Sequence, residues 1–582
     1  MTINLTAFRL ASLAIAISAV TAWTLVGQTP PQAAPQVAPA DLVVRGGRII
    51  TVDDLMPEAQ ALAARGGRIV AIGSSAAVAP YIGPATQVIE LGGQVAIPGF
   101  IEGHGHFTGV GENRINLDFM NTKSWDEIVH LVAQAVENAK PGQWIIGRGW
   151  HQDKWTSRPD PNVEGFPLHE SLDKVSPNNP VVLTHASGHA SFVNQKAMEL
   201  SNITKDTPNP TGGEVLKDKD GKPTGLLRES ASGLVRTGAG EPVKTAAEVE
   251  ADARRVLALA DEEVIAKGVT TFQDAGSPFA TIDRVKKVID DGRMHVRLWM
   301  MIRASNAQLG ANLDRARVIG YGSNMLTVRA IKVTADGALG SRGAWLLEPY
   351  RDKPDSTGLV PAAVQTLPAT AQIAIDHDMQ LCVHAIGDRA NREVLDIYEG
   401  AFKKNGRNGK DLRWRMEHAQ HVSALDIPRF GQLGVIASMQ AIHATSDGGW
   451  VPDRLGDTRS EEGAYVWQKL MKSGAVVTNG TDAPVENVDP IPNYYAAVTR
   501  KLADGRVFYA DQRMSRMEAL RAYTIQNAYA GFEEDVKGSL TLGKLADITI
   551  LSKDITTVPD EEIKSAKVTY TIIGGKIVYR RP

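Results

Sequence analysis

The segment Gln94-Val-Ala-Ile-Pro-Gly-Phe-Ile-Glu-Gly-His-Gly-His106 decides the reading of this chain. Its apolar half reads as a short strand that runs into a turn carrying His104 and His106. Alternate residues of a strand face the same side. The two imidazoles, about 6–7 Å apart along the chain, can therefore both point at one metal ion. Neutral imidazole is the commonest protein ligand for zinc-like ions.

Working outward, short β-branched runs punctuated by glycine pairs surround this segment: Leu42–Val52, Gly67–Gly73 and Thr86–Gly93. The same texture returns at the other terminus in Ala546–Leu551 and Val568–Tyr579, so both ends are expected to form one composite β-sandwich domain, residues 41–97 and 536–582. Between them, strands alternate with helical stretches. Gly268–Asp274, Val296–Met301, Val328–Val333, Gln380–His384, Arg413–His418, Val435–Met439 and Ala475–Asp482 recur every 25–45 residues or so, the rhythm of a (β/α)8 barrel. The fold class is therefore α/β: a TIM-like (β/α)8 barrel over residues 98–535 with the small composite domain beside it. Pro- and Gly-rich turns such as Ser157–Asn162 and Asn209–Gly213 mark an insertion at about residues 120–250.

The remaining N-terminal residues belong to neither domain. Arg9 precedes an apolar run, Leu10–Val26, broken only by Ser and Thr, so residues 1–27 read as a signal peptide or an uncleaved signal anchor. Residues 28–40 are a Pro/Ala-rich linker. The expected location is periplasmic or secreted, with membrane contact only through such an anchor.

Composition narrows the chemistry. Hydrophobic residues make up 43% of the 582, charged residues 22%, and the net charge is −3. No basic patch points to nucleic acid. The single cysteine, Cys382, excludes an intrachain disulfide framework and disfavours a thiolate metal site, which leaves His, carboxylate or a modified Lys as ligands.

Several barrel strands end in such side chains, where barrel enzymes place catalytic residues. His384, His418 and Asp482 close their strands, and Lys332 sits inside an apolar one, an awkward place for an ammonium. Singly, each has a structural explanation: a hydrogen-bonded His, a snorkelling Lys, an Asx-turn Asp before Pro484. Together with His104 and His106 they converge on one face of a barrel and point to a metal site. Around it, His185 and His189 can project from the insertion, and Asp336, Gly337 and Arg342 follow the Lys332 strand. Trp150, Trp155 and Trp345 are candidates for an apolar wall, and His443 for a contact to substrate; Asp274 is a supporting residue or a helix cap. The substrate-binding set is His189, Asp336, His443 and Trp150.

The motifs Pro98–Phe107, Ile331–Arg342, Val383–Asn391, Glu417–Gln420 and Gly480–Glu486 resemble the amidohydrolase superfamily, and within it the YtcJ-like group that includes N-substituted formamide deformylases. The resemblance spans residues 41–582. It implies one or two divalent ions, expected to be Zn2+. His104, His106 and Asp482 would bind the more buried ion, His384 and His418 a second. Lys332 matches a position where such enzymes can carry a carbamylated lysine that bridges both, which would turn a costly buried cation into an anionic ligand. One departure stands out: the group usually has a pair such as Asp-Ser before its His-X-His, and this chain has Glu102-Gly103. The implied reaction is hydrolysis of a small-molecule amide by metal-activated water, with Asp482 as the catalytic base. A deaminase, an ester or lactone hydrolase on the same site, and a non-catalytic binding protein remain alternatives. A homo-oligomer is expected.

Overall fold

A computed structural model describes residues 37–582. The expected leader, and the linker up to residue 36, lie outside the described residues. Ala40, at the end of that linker, is buried and donates its N–H to Tyr81 O at 2.7 Å. Among the described residues no helix is long and apolar enough to cross a membrane.

The segment 94–106 forms two strands where one was expected. Val95–Pro98 joins the terminal sheet and Phe100–Gly105 opens the barrel. They divide at Gly99, where a Cβ would sit 2.2 Å from the Thr270 side chain, so only glycine lets the chain pass. Val95–Pro98 runs antiparallel to Ile548–Leu551 and parallel to the end of Leu42–Ile50. Both chain ends thus share one sheet of eight strands. The period-2 pattern sorts its side chains: Leu42, Val44, Ile548 and Ile550 enter one apolar cluster, Val43, Ala61 and Ala63 another.

The barrel strands are, in order, Phe100–Gly105, Val269–Ser277, Arg297–Ile302, Leu326–Thr334, Gln380–Ala385, Arg415–His418, Ile436–Met439 and Val477–Asn479. Each neighbouring pair is parallel. Strands such as Arg297–Ile302 and Gln380–Ala385 are buried along their whole length, as expected of strands covered on both faces.

Among the described residues no ladder joins the eighth strand to the first. Side chains and two backbone hydrogen bonds close the seam instead. Asn527 Nδ2 donates to Ile101 O (2.7 Å) on one side and to Asn479 O (2.8 Å) on the other, and Glu102 accepts from Thr481 N. Asp482 N donates to His104 O (2.8 Å) and His106 N to Ala483 O (2.7 Å). Glu102-Gly103 lies on this seam: a Cβ at 103 would meet Asn527 Oδ1 at 2.3 Å and Asn479 O at 2.5 Å.

The insertion follows the first barrel strand. It builds a six-stranded sheet from Leu117–Asp118 to Pro223–Glu229 with a cluster on each face: Val181 and Leu183 enter one, Val182 the other. Helix Trp125–Glu137, capped by Ser124, covers the first face. Helix Ala246–Ala266, opened by a Thr245/Glu248 capping box, returns to the barrel core through Leu257, Ala260 and Val264.

Candidate metal-dependent active site

His104 is fixed from inside the barrel. Its Nδ1 hydrogen-bonds Glu417, whose other oxygen lies 2.7 Å from Arg415 Nε. Arg415 also donates to Gln273 Oε1, Gly103 O and Ser438 Oγ, each at 2.7 Å. Arg415 and Glu417 are alternate residues of one strand and so share its inner face. Alternation would send His418 outward; positive φ at His418 (76°) and Ala419 (43°) turns the chain instead. His418 Nδ1 then meets Gln440 Oε1 at 2.8 Å. In both rings the anchored nitrogen is Nδ1, which leaves Nε2 for the pocket.

Donor atoms of His104, His418 and Asp482 lie within 4.8 Å of one another. Asp482 Oδ1 is 3.5 Å from His104 Nε2 and 3.3 Å from His106 Nε2. The His384 ring is 4.5 Å from that of His418, and Lys332 Nζ is 3.4 Å from His104 Nε2. These residues suit a divalent ion. Asp482 Oδ1 and His384 Nε2 are buried and make no hydrogen bond, His384 Nε2 lying 3.4 Å from Asp336 Oδ1, which suits atoms that ligate an ion. The histidines also favour the neutral, ligating state. Burial, reinforced by the Lys332 charge, lowers His104 to about 4 despite Glu417 and Asp482. Burial likewise holds His384 and His418 well below the ordinary value. Burial opposes ionisation of Asp482, but His106, His104 and His418 outweigh it and hold the carboxyl well below its usual range. Burial, with the Arg303 charge, lowers Lys332 to about 8.

The pocket opens into a cavity of ≈ 520 Å³, open mouth included. The barrel supplies His384, His418, Gln420, His443, Asp447, Trp450, Asp482 and Glu486 to its wall, and the insertion supplies His151, Lys154, Ser187 and His189. His189 Nδ1 is 2.7 Å from Glu229 Oε2. Burial opposes its charged form, yet Glu229, Asp336 and Asp482 raise His189 above the ordinary value. His443 Nδ1 is 2.9 Å from Gln420 Nε2.

Other expected contacts lie elsewhere. Trp150 is not on the cavity wall: it is fully buried in the insertion core, its indole 4.7 Å from His185, and Nε1 donates to Leu183 O at 2.9 Å. Trp155 packs beside it in the same cluster. The tryptophan that does line the cavity is Trp450. Asp336, expected as a substrate contact, is a buried loop anchor behind the cavity wall, its Oδ1 3.4 Å from His384 Nε2. It accepts from the backbone N–H of Trp345, Ile386 and Gly387 at 2.8–2.9 Å, and burial raises it to about 7. Arg342 turns away to Asp352 (2.8 Å). Asp274 accepts from Phe107 N (2.9 Å), at the start of the helix after His106. His185, ring to ring with His151 at 4.5 Å, sits behind the wall. Sequence reasoning overlooked Glu229 and Trp450 and gave Glu417 no role of its own; only Glu417 left a signal, a charged residue two positions from Arg415 in a buried strand.

The amidohydrolase family model, of the type numbered 3, matches residues 87–579. The chain belongs to the amidohydrolase family. This amidohydrolase is 34% identical over 570 residues to the protein LONG AFTER FAR-RED 3 of Arabidopsis thaliana, covering 96% of this chain and 94% of that one. It is 30% identical to the putative amidohydrolase YtcJ of Bacillus subtilis (92% and 99% covered). With the N-substituted formamide deformylase of Arthrobacter pascens it shares 26% (93% and 98%). The crystal structure of an uncharacterized metal-dependent hydrolase from Pyrococcus furiosus superposes with a TM-score of 0.66 at 26% identity, covering 89% of this chain and 100% of the other. The family makes this chain a hydrolase, and the structural neighbour is a metal-dependent one.

Proposed function

We propose that this amidohydrolase cleaves a C–N amide bond of a small molecule with water, using zinc held by His104, His106, His384, His418 and Asp482, with Lys332 in carbamylated form among them. The observation that carries the reading is Asp482, whose buried Oδ1 lies within 3.5 Å of the Nε2 atoms of two imidazoles, His104 and His106. A bound divalent ion lowers the pKa of its water to about 7 and polarises a carbonyl. Asp482, ionised at neutral pH, takes the proton of the attacking water. It returns that proton to the departing nitrogen as the C–N bond breaks, giving a carboxylate and an amine. His443, its Nδ1 held by Gln420, offers its Nε2 to the carbonyl oxygen. The deformylase relative, whose name specifies an N-substituted amide, supports the amide class. The leader, in this reading, delivers the enzyme to the periplasm or the medium.

The test is metal analysis of the purified protein combined with a hydrolysis screen over N-formyl, N-acyl-amino-acid, anilide and lactone substrates. Amine release by the zinc-loaded enzyme, lost in His104→Ala, is the expected outcome. Turnover of lactones or deamination of a ring amine without amide cleavage would overturn the substrate class, and full activity in His104→Ala would overturn the site.

A further inference from the structure

Of the residues that the insertion brings to the cavity wall, His189 is backed by Glu229, and several unusual features of the structure converge on that pair. Glu229 ends the last strand of the inserted sheet with φ 50°, ψ −126°, a conformation that costs a non-glycine residue energy and persists only where surroundings enforce it. Its side chain is only 6% exposed. The barrel loop that follows the Lys332 strand makes room for it with two glycines. A Cβ on Gly337 would lie 2.0 Å from Glu229 Oε1, and one on Gly343 2.1 Å. Ser341 Oγ, between them, is 3.4 Å from the same oxygen. The other oxygen, Oε2, faces His189 Nδ1 at 2.7 Å, and the Glu229 N–H donates to His189 O at 2.8 Å. Backbone and side chain together therefore fix one imidazole. That imidazole lines the cavity with its ring 4.9 Å from the His384 ring.

From this we infer that Glu229 is a positioning residue for the hydrolytic reaction: seated in the Gly337/Gly343 cradle of the barrel, it holds His189 in the Nδ1–H form and aims Nε2 at the substrate beside His384. A carboxylate behind an imidazole selects the tautomer and orientation of the ring. Because the seat belongs to the barrel and the pair to the insertion, the imidazole is aligned only when the insertion is docked. The inference rests on the hydrolase reading above but not on the amide class, since His189 would be aligned for any substrate of this pocket.

The experiment compares Glu229→Ala, Glu229→Gln, Gly343→Ala, His189→Ala and the double variant Glu229→Ala/His189→Ala as zinc-loaded full-length enzymes, on whichever substrate the screen turns over. Glu229→Ala is expected to lower kcat about 30-fold, with KM within threefold and zinc content unchanged. Glu229→Gln, which still accepts from Nδ1–H, should recover most of it. Gly343→Ala, which unseats the carboxylate without removing it, should fall between. The double variant should be no worse than His189→Ala. A second readout needs no turnover: 15N spectra of histidine-labelled protein, with His189→Ala for assignment, should show one Nδ1–H tautomer for His189 in the wild type and a mixture in Glu229→Ala. A change of kcat under threefold in both Glu229→Ala and Gly343→Ala, multiplicative losses in the double variant, or an unchanged tautomer in Glu229→Ala would each overturn the assignment. If no amide is cleaved yet the tautomer shifts as stated, the substrate class fails and the positioning role stands.

Discussion

The two halves of the pocket are built on opposite plans. On the barrel half, His104, His418 and Asp482 are held by buried groups on neighbouring strands: Glu417 and Arg415 behind His104, Gln440 behind His418, the seam beside Asp482. On the inserted half, His189, His151 and Lys154 stand on turns beside a separate sheet that meets the barrel through ion pairs, notably Asp153 with Arg454 (2.7 Å) and Glu164 with Lys353 (2.6 Å). A layout of this kind separates metal-ligating chemistry, which tolerates little displacement, from substrate contacts, which a movable wall can supply.

The comparison breaks most visibly at His104. His104→Ala should remove bound metal and at least about 10⁴-fold of activity, because both ligand and water activation go together; elemental analysis beside a rate assay checks it. Glu417→Gln comes next. It leaves Arg415 with less compensation in a fully buried place, which should cost about 3–5 kcal/mol of stability, and it loosens the His104 ring, which should weaken metal affinity about 10- to 100-fold. Thermal melts and competition with a chelator would show these; a normal Tm would refute the buried-charge argument.

The same half should govern pH dependence. Protons compete with the metal only where an imidazole is protonated, and burial keeps His104 neutral down to about 4, with His384 and His418 also lowered. Metal should therefore stay bound as pH falls through about 6.5, where free imidazole titrates, and be lost as it nears 4. Dialysis at stepped pH followed by metal analysis decides it; release already at pH 6 would contradict the burial argument.

On the inserted half effects should be milder and of another kind. Arg454→Met takes the guanidinium from Asp153, whose side chain is 22% exposed and can be hydrated, while Asp352 keeps Arg342 at 2.8 Å. KM should rise about 3- to 10-fold, roughly 1 kcal/mol, with kcat within twofold; a fall in kcat without a change in KM would mean that the ion pairs serve the chemistry directly. The smallest effect belongs to His130→Ala. That residue lies on the outer face of helix Trp125–Glu137, beside Gln134, and its loss should change neither metal content nor rate.

What the sequence disclosed follows the same division. The barrel and its strand-end residues were legible because continuous apolar strands each finish on one polar side chain, a contrast that one-dimensional pattern displays. Gly99 was not seen as a divide because its reason, the Thr270 side chain, is 171 positions away. The inserted half was poorly legible. His189 was found, but its partner Glu229 stands alone in sequence and acquires meaning only through the glycines of a distant loop. Trp150 misled because a tryptophan near a pocket motif looks the same whether it lines a cavity or fills a core, and here the sheet around it has an apolar cluster of its own. Asp336 misled similarly: an acid just past a barrel strand reads as a substrate contact, whereas three unpaired backbone N–H groups claim it.

The seam between the first and last barrel strands sets an order of events during synthesis. His104 is made early and Asp482 late, and the groups that bring their strands together include Asn527, later still. The sheet strand that leads into the first barrel strand pairs with Ile548–Leu551. A nascent chain therefore carries His104 long before Asp482 can meet it, and long-range closures of this kind are slow steps in folding. The pocket becomes competent to retain metal only when almost the whole polypeptide has been released from the ribosome.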